Sequence, residues 1–208
     1  MAGFQALVLH EADGKVAPRI ETLDEAQLPE GEVTVAVEYS TLNYKDGMVL
    51  SGIGRLVRTY PHVPGIDFAG TVTQSADGRF KPGDKVVLTG WRVGEMHWGG
   101  YAERARVKAD WLVPLPAGLT TRQAMAVGTA GFTAMLAVIA LERHGLKPGA
   151  GEVLVTGASG GVGSIAVALL AKLGHQVVAS TGRLAEGAYL KSLGAGELID
   201  RATLSEKP

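Results

Sequence analysis

A glycine-rich turn at residues 156–163 constrains the fold of this 208-residue chain more than any other segment. It reads Thr-Gly-Ala-Ser-Gly-Gly-Val-Gly, and the pattern predicts an apolar strand before it and a helix after it. In such a unit Gly160 lets the backbone approach a pyrophosphate, and Gly163 lets the helix pack closely on the strand. The helix N-terminus offers free N–H groups and about half a positive charge to the phosphates. The turn therefore predicts a dinucleotide-binding βαβ unit; the alternative is a turn that only packs.

The segments around the turn form one half of a nucleotide-binding sheet. We predict a strand at residues 152–156, a helix at 161–173, a strand at 176–180, a helix at 184–193 and a short strand at 198–200. This βαβαβ order is typical of one mononucleotide-binding half of a doubly wound sheet. Contacts to the cofactor are expected first from the turn, at Ser159, Gly160, Gly161, Val162 and Gly163.

The end of the second strand of this half indicates which dinucleotide binds. NAD-binding units usually carry an Asp or Glu about 20 residues after the glycines, where it binds the ribose 2′-hydroxyl. No carboxylate occurs between positions 161 and 185, and the strand ends in Ser180, Thr181, Gly182 and Arg183. Hydroxyls and an arginine can bind a 2′-phosphate through charge-assisted hydrogen bonds. The sequence therefore favours NADPH over NADH, although Arg183 can also be read as a solvated residue near a helix start.

The first hundred residues predict β structure instead. In residues 32–39 apolar and polar residues alternate, which is typical of a half-buried strand. Further short strands are predicted at residues 5–10, 70–74, 85–88, 101–107 and 111–113, with turn signals between them. This spacing predicts a small barrel or sandwich. Two helices follow, one opened by a capping box at Thr120 and Gln123 and running to about residue 127, the other over residues 133–144.

Composition excludes several classes of function. Lys and Arg number 20 against 21 Asp and Glu, so no net field favours nucleic acid or an anionic membrane. Cysteine is absent, which excludes thiolate catalysis and Cys-ligated zinc, and the five histidines have no ligand spacing. Apolar stretches such as residues 165–173 fall short of the roughly 20 residues that span a bilayer. We therefore expect a cytoplasmic protein that acts on a small molecule.

Two dehydrogenase superfamilies use a turn of this kind. Short-chain enzymes begin with the unit and require Tyr-x-x-x-Lys, whereas here about 150 residues precede the turn and no tyrosine has a lysine four positions later. The chain instead resembles the medium-chain dehydrogenase/reductase superfamily. The resemblance rests on Leu-Asn-Tyr-Lys-Asp at residues 42–46, Pro-Gly-Ile-Asp-Phe-Ala-Gly at 64–70, Phe-Lys-Pro-Gly-Asp-Lys-Val at 80–86 and Gly-Gly-Tyr-Ala-Glu at 99–103.

The resemblance implies an α/β fold with a GroES-like β-barrel domain at residues 1–127, followed by an incomplete Rossmann doubly wound domain at 128–208. Zinc-dependent members carry Cys and Gly-His-Glu where this chain has Asn-Tyr-Lys-Asp and Gly-Ile-Asp, so a zinc-free member is expected. Within the superfamily the chain looks most like the acrylyl-CoA reductases, which sit near the quinone oxidoreductases. Members are longer than this chain, so we expect a fragment or an incomplete second domain, and a dimer when full length.

The resemblance also implies an activity and its residues. The expected reaction is NADPH-dependent reduction of the double bond of acryloyl-CoA to propanoyl-CoA; the alternatives are a quinone or enone reductase and a truncated NADP-binding protein without catalysis. Tyr44 is expected to contact NADP and to line the hydride-transfer site, and Tyr44, Asn43 and Asp46 are the candidate catalytic residues. Asn43 and Asp46 can equally cap the helix that follows. Arg201 is expected near the adenosine end of the cofactor or in solvent.

Overall fold

The computed structural model describes residues 3–204. The chain divides into two compact units, of which the first ends at Thr129 and the second begins at Ala130.

The first unit is built mainly from antiparallel strands. Its strands and its short helix are β1 (Phe4–Ala12), β2 (Lys15–Leu23), β3 (Val33–Tyr39), α1 (Tyr44–Leu50), β4 (Asp67–Ser75), β5 (Lys85–Thr89), β6 (Arg104–Val107) and β7 (Val113–Pro114). β1 and β2 form a hairpin, and the other five strands form one sheet in the order β6-β3-β4-β5-β7. The alternation expected of β3 is only partly present. Val33 and Val35 are buried in a core with Phe68 and Leu88, but Thr34 is buried as well and Tyr39 is exposed.

Several predicted elements of the first unit are corrected by the structure. β2 was not predicted, because its residues are mostly exposed and lack an apolar alternation. The strand predicted at residues 101–107 is limited to Arg104–Val107. Of the strand predicted at residues 111–113, only Val113 lies in a strand, β7. Trp111 ends a short 3₁₀ turn, Ala109–Trp111, because the backbone closes i→i+3 hydrogen bonds there.

The two helices predicted around residue 130 form one element, α2 (Thr121–Arg143), broken at Gly128. Gly128 has φ 52° and ψ −162°, a conformation that only glycine adopts readily. A Cβ at this position would lie 2.9 Å from Cγ2 of Thr41, so a side chain is excluded sterically as well. The glycine thus ends the first helical part of α2 and begins the second.

α2 also corrects the expectation that no apolar stretch is long enough to cross a bilayer. By length and composition its 23 residues pass that test, with a mean hydropathy of 2.0 over 18 residues. The non-helical backbone at Gly128 interrupts this stretch. Ala134 and Val138, in the second part, are fully buried, whereas 33% of the 18-residue window as a whole is buried.

The second unit is a three-stranded parallel sheet with helices between its strands. Its elements after α2 are β8 (Glu152–Thr156), α3 (Gly161–Lys172), β9 (Gln176–Thr181), α4 (Gly187–Ser192) and β10 (Glu197–Asp200). The sheet order is β10-β9-β8, so the predicted βαβαβ half is present. The helix predicted at residues 184–193 is shorter, because a 3₁₀ turn at Leu184–Glu186 precedes α4.

A polar network ties the sheet of the first unit to the start of α2. The carboxylate of Glu38, in β3, accepts hydrogen bonds from Lys85 in β5, from Thr71 in β4 and from the Thr121 hydroxyl, the last at 2.7 Å. Burial alone would raise the pKa of Glu38, but the bonds from Lys85, Thr71 and Thr121 outweigh it and hold the pKa at about 2.

The network predicts an acid-sensitive contribution to stability. Because the folded pKa of Glu38 lies below the unfolded value of 4.5, its contribution is present above that pH and is lost as the pH falls towards 2. We expect Glu38→Gln to lower the free energy of unfolding by about 1 kcal/mol at pH 7 and by much less near pH 2. Tryptophan fluorescence during urea unfolding reports this, since all three tryptophans lie in the first unit.

Glu30→Gln is the matched control. Glu30 is exposed, so its substitution removes the same charge without breaking this network. Equal destabilisation by Glu38→Gln at pH 7 and pH 2.5 would contradict the assignment.

Candidate functional site

The glycine-rich turn of the second unit has the geometry that its sequence predicts. Gly157 lies in the left-handed region, and Gly160 is the N-cap of α3. A Cβ on Gly163 would lie 2.3 Å from the carbonyl oxygen of Gly157, so a side chain there would separate α3 from the turn. At Gly160 the nearest such contact is 3.2 Å, to the same oxygen, and apart from its chain neighbours no other atom of residues 3–204 lies within 4 Å. The backbone at Gly160 is therefore open to an approaching anion.

Ser159, Thr181 and Arg183 come together at the carboxyl ends of β8 and β9. The hydroxyls of Ser159 and Thr181 are 2.7 Å apart, and the backbone N–H of Arg183 donates to Oγ1 of Thr181 at 3.0 Å. The guanidinium of Arg183 donates to the carbonyl oxygen of Ser159 at 3.3 Å and pairs with Glu186 at 3.1 Å. The side chain of Arg183 is 64% exposed. Its guanidinium is therefore fixed over the turn by these contacts and still faces solvent.

Arg201 follows β10 and lies against the neighbouring strand end. A Cβ on Gly182 would be 3.2 Å from Cζ and Nη2 of Arg201, which shows that the guanidinium packs on the Gly182 backbone. Asp200 of β10 is the register partner of Thr181 in β9, and this pairing brings the two strand ends together. The guanidinium of Arg201 thus lies on Gly182, and that of Arg183 lies on the carbonyl oxygen of Ser159 in the glycine-rich turn.

Ser180 does not present its side chain at this surface. Its hydroxyl is fully buried and has no hydrogen-bond partner within residues 3–204, while its carbonyl oxygen accepts from the N–H of Ala158 at 3.0 Å. Thr181 is also buried, so its hydroxyl acts on Ser159 and Arg183 rather than in solvent. The expected direct contact from the Ser180 side chain is therefore removed from the candidate site, because β9 is enclosed on both faces.

In the first unit, the buried carboxylate of Asp67 organises the segment that carries Asn43 and Tyr44. Asp67 begins β4 and is fully buried. Its oxygens accept from the N–H and hydroxyl of Thr41, at 3.2 and 2.7 Å, and from the Asn43 amide at 3.3 Å. They also accept from the N–H of Thr129 at 2.9 Å, at the break in α2. One carboxylate therefore joins β4, the 41–43 segment and α2.

Asp46 is a second buried carboxylate, and it caps α1. It accepts from the N–H of Asn43 at 2.9 Å and from the N–H of Ile66 at 3.0 Å. Burial raises the pKa of Asp46, with a smaller contribution from the charge of Asp67. The structure therefore contains the capping interaction that was the alternative to catalysis for Asp46. The hydroxyl of Tyr101 donates to the carbonyl oxygen of Thr41 at 2.8 Å and holds the same segment.

The side chain of Tyr44 differs from those of its neighbours because it makes no hydrogen bond within residues 3–204 and is exposed to solvent. Tyr44 is the first residue of α1 and is 88% exposed. Asn43 is half-buried, and its amide donates to the hydroxyl of Thr41 at 2.7 Å as well as to Asp67. Of the three predicted catalytic residues, only Tyr44 presents its side chain fully to solvent.

Lys45 has a role that sequence reasoning missed. Its Nζ lies 2.9 Å from Oε1 of Glu95, whose other oxygen lies 3.7 Å from Nε of Arg92. The side chain of Glu95 is only 8% exposed, so the pair ties α1 to the loop at residues 90–98. A lysine directly after Tyr44 gives no sequence signal for a partner 50 positions away.

Two aromatic residues of the 90–98 loop, Trp91 and His97, pack on Trp111. Trp91 stacks on Trp111 with centroids 6.3 Å apart, and His97 meets the edge of Trp111 at 5.0 Å. Nε2 of His97 is 2.7 Å from the carbonyl oxygen of Arg106, and burial lowers the pKa of His97. Within residues 3–204 there is no group of three or more His, Asp or Glu side chains that could hold a metal ion.

Comparison with known proteins identifies the family. The alcohol dehydrogenase GroES-like domain family matches residues 29–117. Acrylyl-CoA reductase AcuI of Ruegeria pomeroyi is 66% identical over 98% of this chain and 62% of its own length. The chain therefore carries an alcohol dehydrogenase GroES-like domain and is similar over nearly its whole length to an acrylyl-CoA reductase. Its GroES-like domain and Rossmann-type fold confirm the predicted fold class.

Solved structures show the same fold. The yhdH oxidoreductase of Salmonella enterica, in complex with NADP, superposes with a TM-score of 0.96, is 60% identical, and is matched over 98% of this chain and 63% of that one. Bacillus subtilis yhfP, solved with NAD bound, gives a TM-score of 0.95 at 48% identity over 99% of this chain and 63% of that one. As a sequence, YhfP is described as a putative quinone oxidoreductase. The chain thus spans about three-fifths of the length of these relatives.

Proposed function

We propose that the protein is an NADPH-dependent reductase of the carbon–carbon double bond of acryloyl-CoA, giving propanoyl-CoA. The observation that carries the proposal is the cluster of Ser159, Arg183 and Arg201 beside the open turn at Gly160. The similarity to acrylyl-CoA reductase over nearly the whole chain supports the choice of substrate. We further propose a small-molecule substrate as the binding partner and the cytoplasm as the location.

The residues fit a phosphorylated dinucleotide. The N–H groups at the start of α3 and the open backbone at Gly160 would hold the pyrophosphate. Arg183 and Arg201 would hold the 2′-phosphate, since a guanidinium binds phosphate with paired, charge-assisted hydrogen bonds. The Ser159 hydroxyl and Thr181 fix the position of Arg183.

The bound cofactor supplies a hydride to the β-carbon, and the α-carbon takes a proton, so one molecule of NADPH is oxidised for each double bond reduced. Donors placed at the thioester oxygen stabilise the negative charge that develops there. Tyr44 fits this task, because its hydroxyl has no partner within residues 3–204 and its neighbours are fixed by Asp46 and Asp67.

Binding and turnover are tested separately. We expect NADPH to bind, measured by its fluorescence, and acryloyl-CoA to oxidise it, measured by the loss of nicotinamide absorbance with propanoyl-CoA as product. Oxidation of NADPH by a benzoquinone but not by acryloyl-CoA would overturn the proposal in favour of a quinone reductase, the candidate that the similarity to YhfP favours. Binding without any turnover would favour an NADP-binding protein without catalysis.

Tyr44→Phe tests the hydroxyl of the exposed tyrosine. We expect the turnover number to fall about tenfold, because one donor to the developing negative charge is lost. Stability is expected to stay unchanged, since the side chain is exposed and makes no hydrogen bond within residues 3–204. Tyr189→Phe, at a half-exposed position in the second unit, is the control. Unchanged turnover in Tyr44→Phe would remove the hydroxyl from the mechanism.

A further inference from the structure

The first unit contains a cleft that the phosphate turn does not use. It has a volume of about 680 Å³ and lies between the turn of the β1–β2 hairpin and the segment that follows α1. The side chains that shape it are Glu11, Val16, Arg55, Val57, Arg58 and Tyr60.

The segment that carries the two arginines has a tightly defined backbone. Gly52, Gly54 and Arg55 all have positive φ, at 68°, 76° and 49°. A Cβ on Gly52 would lie 2.9 Å from Cγ2 of Val16, so the segment lies directly against β2. Positive φ is uncommon for an arginine, and residues held in such conformations are enriched at binding sites.

The cleft carries a net positive charge. Arg55 and Arg58 form no ion pair within residues 3–204, whereas Arg79 and Arg104 of the same unit are both paired. Among the lining residues, Glu11 carries the one carboxylate, and its Oε1 accepts from the N–H of Gly14 at 2.8 Å. Two guanidinium groups against one engaged carboxylate favour an anionic ligand.

Three of the side chains that line the cleft are aliphatic or aromatic. Val57 is buried, and Val16 and Tyr60 are half-buried beside it. Aliphatic and aromatic side chains suit a flat base and guanidinium groups suit phosphates, so this lining is compatible with an adenine nucleotide.

The position of the cleft fits one end of an acyl-CoA. α1 begins at Tyr44, and the cleft segment follows its last residue, Leu50. Seven helical residues rise about 10 Å, so the cleft is separated from Tyr44 by roughly one short helix. An acyl-CoA also has two separated ends, a thioester and a nucleotide, joined by the pantetheine arm.

We propose that this cleft binds the 3′-phospho-ADP part of coenzyme A, with Arg55 and Arg58 on its phosphates. The proposal rests on the proposed function, because it assumes that the thioester end reaches Tyr44.

Calorimetric titration with coenzyme A and with adenosine 3′,5′-bisphosphate tests the cleft. Saturating NADPH is present throughout, so that Arg183 and Arg201 are occupied. Both ligands are expected to bind, and R55A/R58A is expected to weaken each by at least about tenfold. R19A/R122A is the matched control. Both residues are exposed and lie outside the cleft, and their substitution removes the same charge as R55A/R58A. Equal weakening in the two double variants, no weakening in R55A/R58A, or no binding by the unaltered chain would overturn the proposal.

Turnover separates this inference from the proposed function. With acryloyl-CoA, R55A/R58A is expected to raise KM about tenfold with kcat unchanged. Acryloyl-pantetheine lacks the nucleotide. With this substrate, the kcat/KM of R55A/R58A is expected to match that of the unaltered chain. If R55A/R58A loses coenzyme A binding but neither the unaltered chain nor any variant turns over the thioester, the proposed function alone is contradicted. Thioester turnover with unchanged coenzyme A binding contradicts the cleft alone.

Discussion

Arg183→Ala is expected to weaken NADPH binding by about tenfold to a hundredfold while NADH binding changes by less than about twofold. The guanidinium is exposed and fixed over the turn by the carbonyl oxygen of Ser159, where a 2′-phosphate would add two negative charges. NADH lacks that phosphate, so it loses no charge-assisted bond. Fluorescence titration of the two reduced cofactors measures both dissociation constants.

The ion pair of Arg183 with Glu186 calls for a second variant. Removing Arg183 alone leaves Glu186 without its partner at 3.1 Å, and a free carboxylate there repels the 2′-phosphate. R183A/E186Q removes both charges. The difference in NADPH affinity between R183A and R183A/E186Q therefore measures the repulsion between Glu186 and the 2′-phosphate. Arg143→Ala is the control, since Arg143 is an exposed arginine in the last turn of α2. Equal losses of NADPH and NADH affinity in Arg183→Ala would contradict the assignment of the 2′-phosphate to this residue.

Asp67→Asn is expected to lower the free energy of unfolding of the first unit by about 2–4 kcal/mol. The oxygens of Asp67 face only donors, from Thr41, Asn43 and Thr129. An asparagine keeps the shape but turns an amide NH₂ towards those donors, so at least one of them loses its acceptor in a buried place. Tryptophan fluorescence during urea unfolding measures the change, because the three tryptophans report on this unit.

NADPH binding provides the internal check on Asp67→Asn. The glycine-rich turn and Arg183 belong to the second unit, so the dissociation constant for NADPH is expected to stay within about twofold where the variant is folded. Turnover is expected to fall, because the segment that holds Tyr44 loses its anchor. Asp13→Asn, at an exposed hairpin turn, controls for the change of charge. An Asp67→Asn variant as stable as the unaltered chain would show that the carboxylate is not the anchor.

The sequence predicted the second unit well because its signals are local. The apolar runs, the glycine spacing and the absence of a carboxylate between positions 161 and 185 are all features within about thirty residues of the turn. The same reasoning failed at Ser180, since a hydroxyl at a strand end carries no sign of which strands enclose it. The break in α2 was predicted as two helices, and only the approach of Thr41 shows why Gly128 is needed.

The first unit was less predictable because its polar contacts join distant positions. Asp67 is 26 residues from Thr41 and 62 from Thr129, and Lys45 is 50 from Glu95. No periodicity or motif encodes such pairs, so the organising role of Asp67 and the loop contact of Lys45 appear only in three dimensions. The capping role of Asp46 was visible as an alternative, since the spacing Asn43-x-x-Asp46 is local.

The order of the parallel sheet sets a hierarchy of amide hydrogen exchange. β9 is bonded on both sides and almost wholly buried, so its amides exchange only when the second unit opens as a whole. β8 has one strand neighbour among residues 3–204, and Leu154 at its centre is half-exposed, so alternate amides of β8 exchange by local fraying. The turn at Gly160 continues directly from this strand. Nucleotide binding is therefore expected to slow amide hydrogen exchange at the turn. The exchange of β9, which is already slow, is expected to stay unchanged and serves as the internal reference.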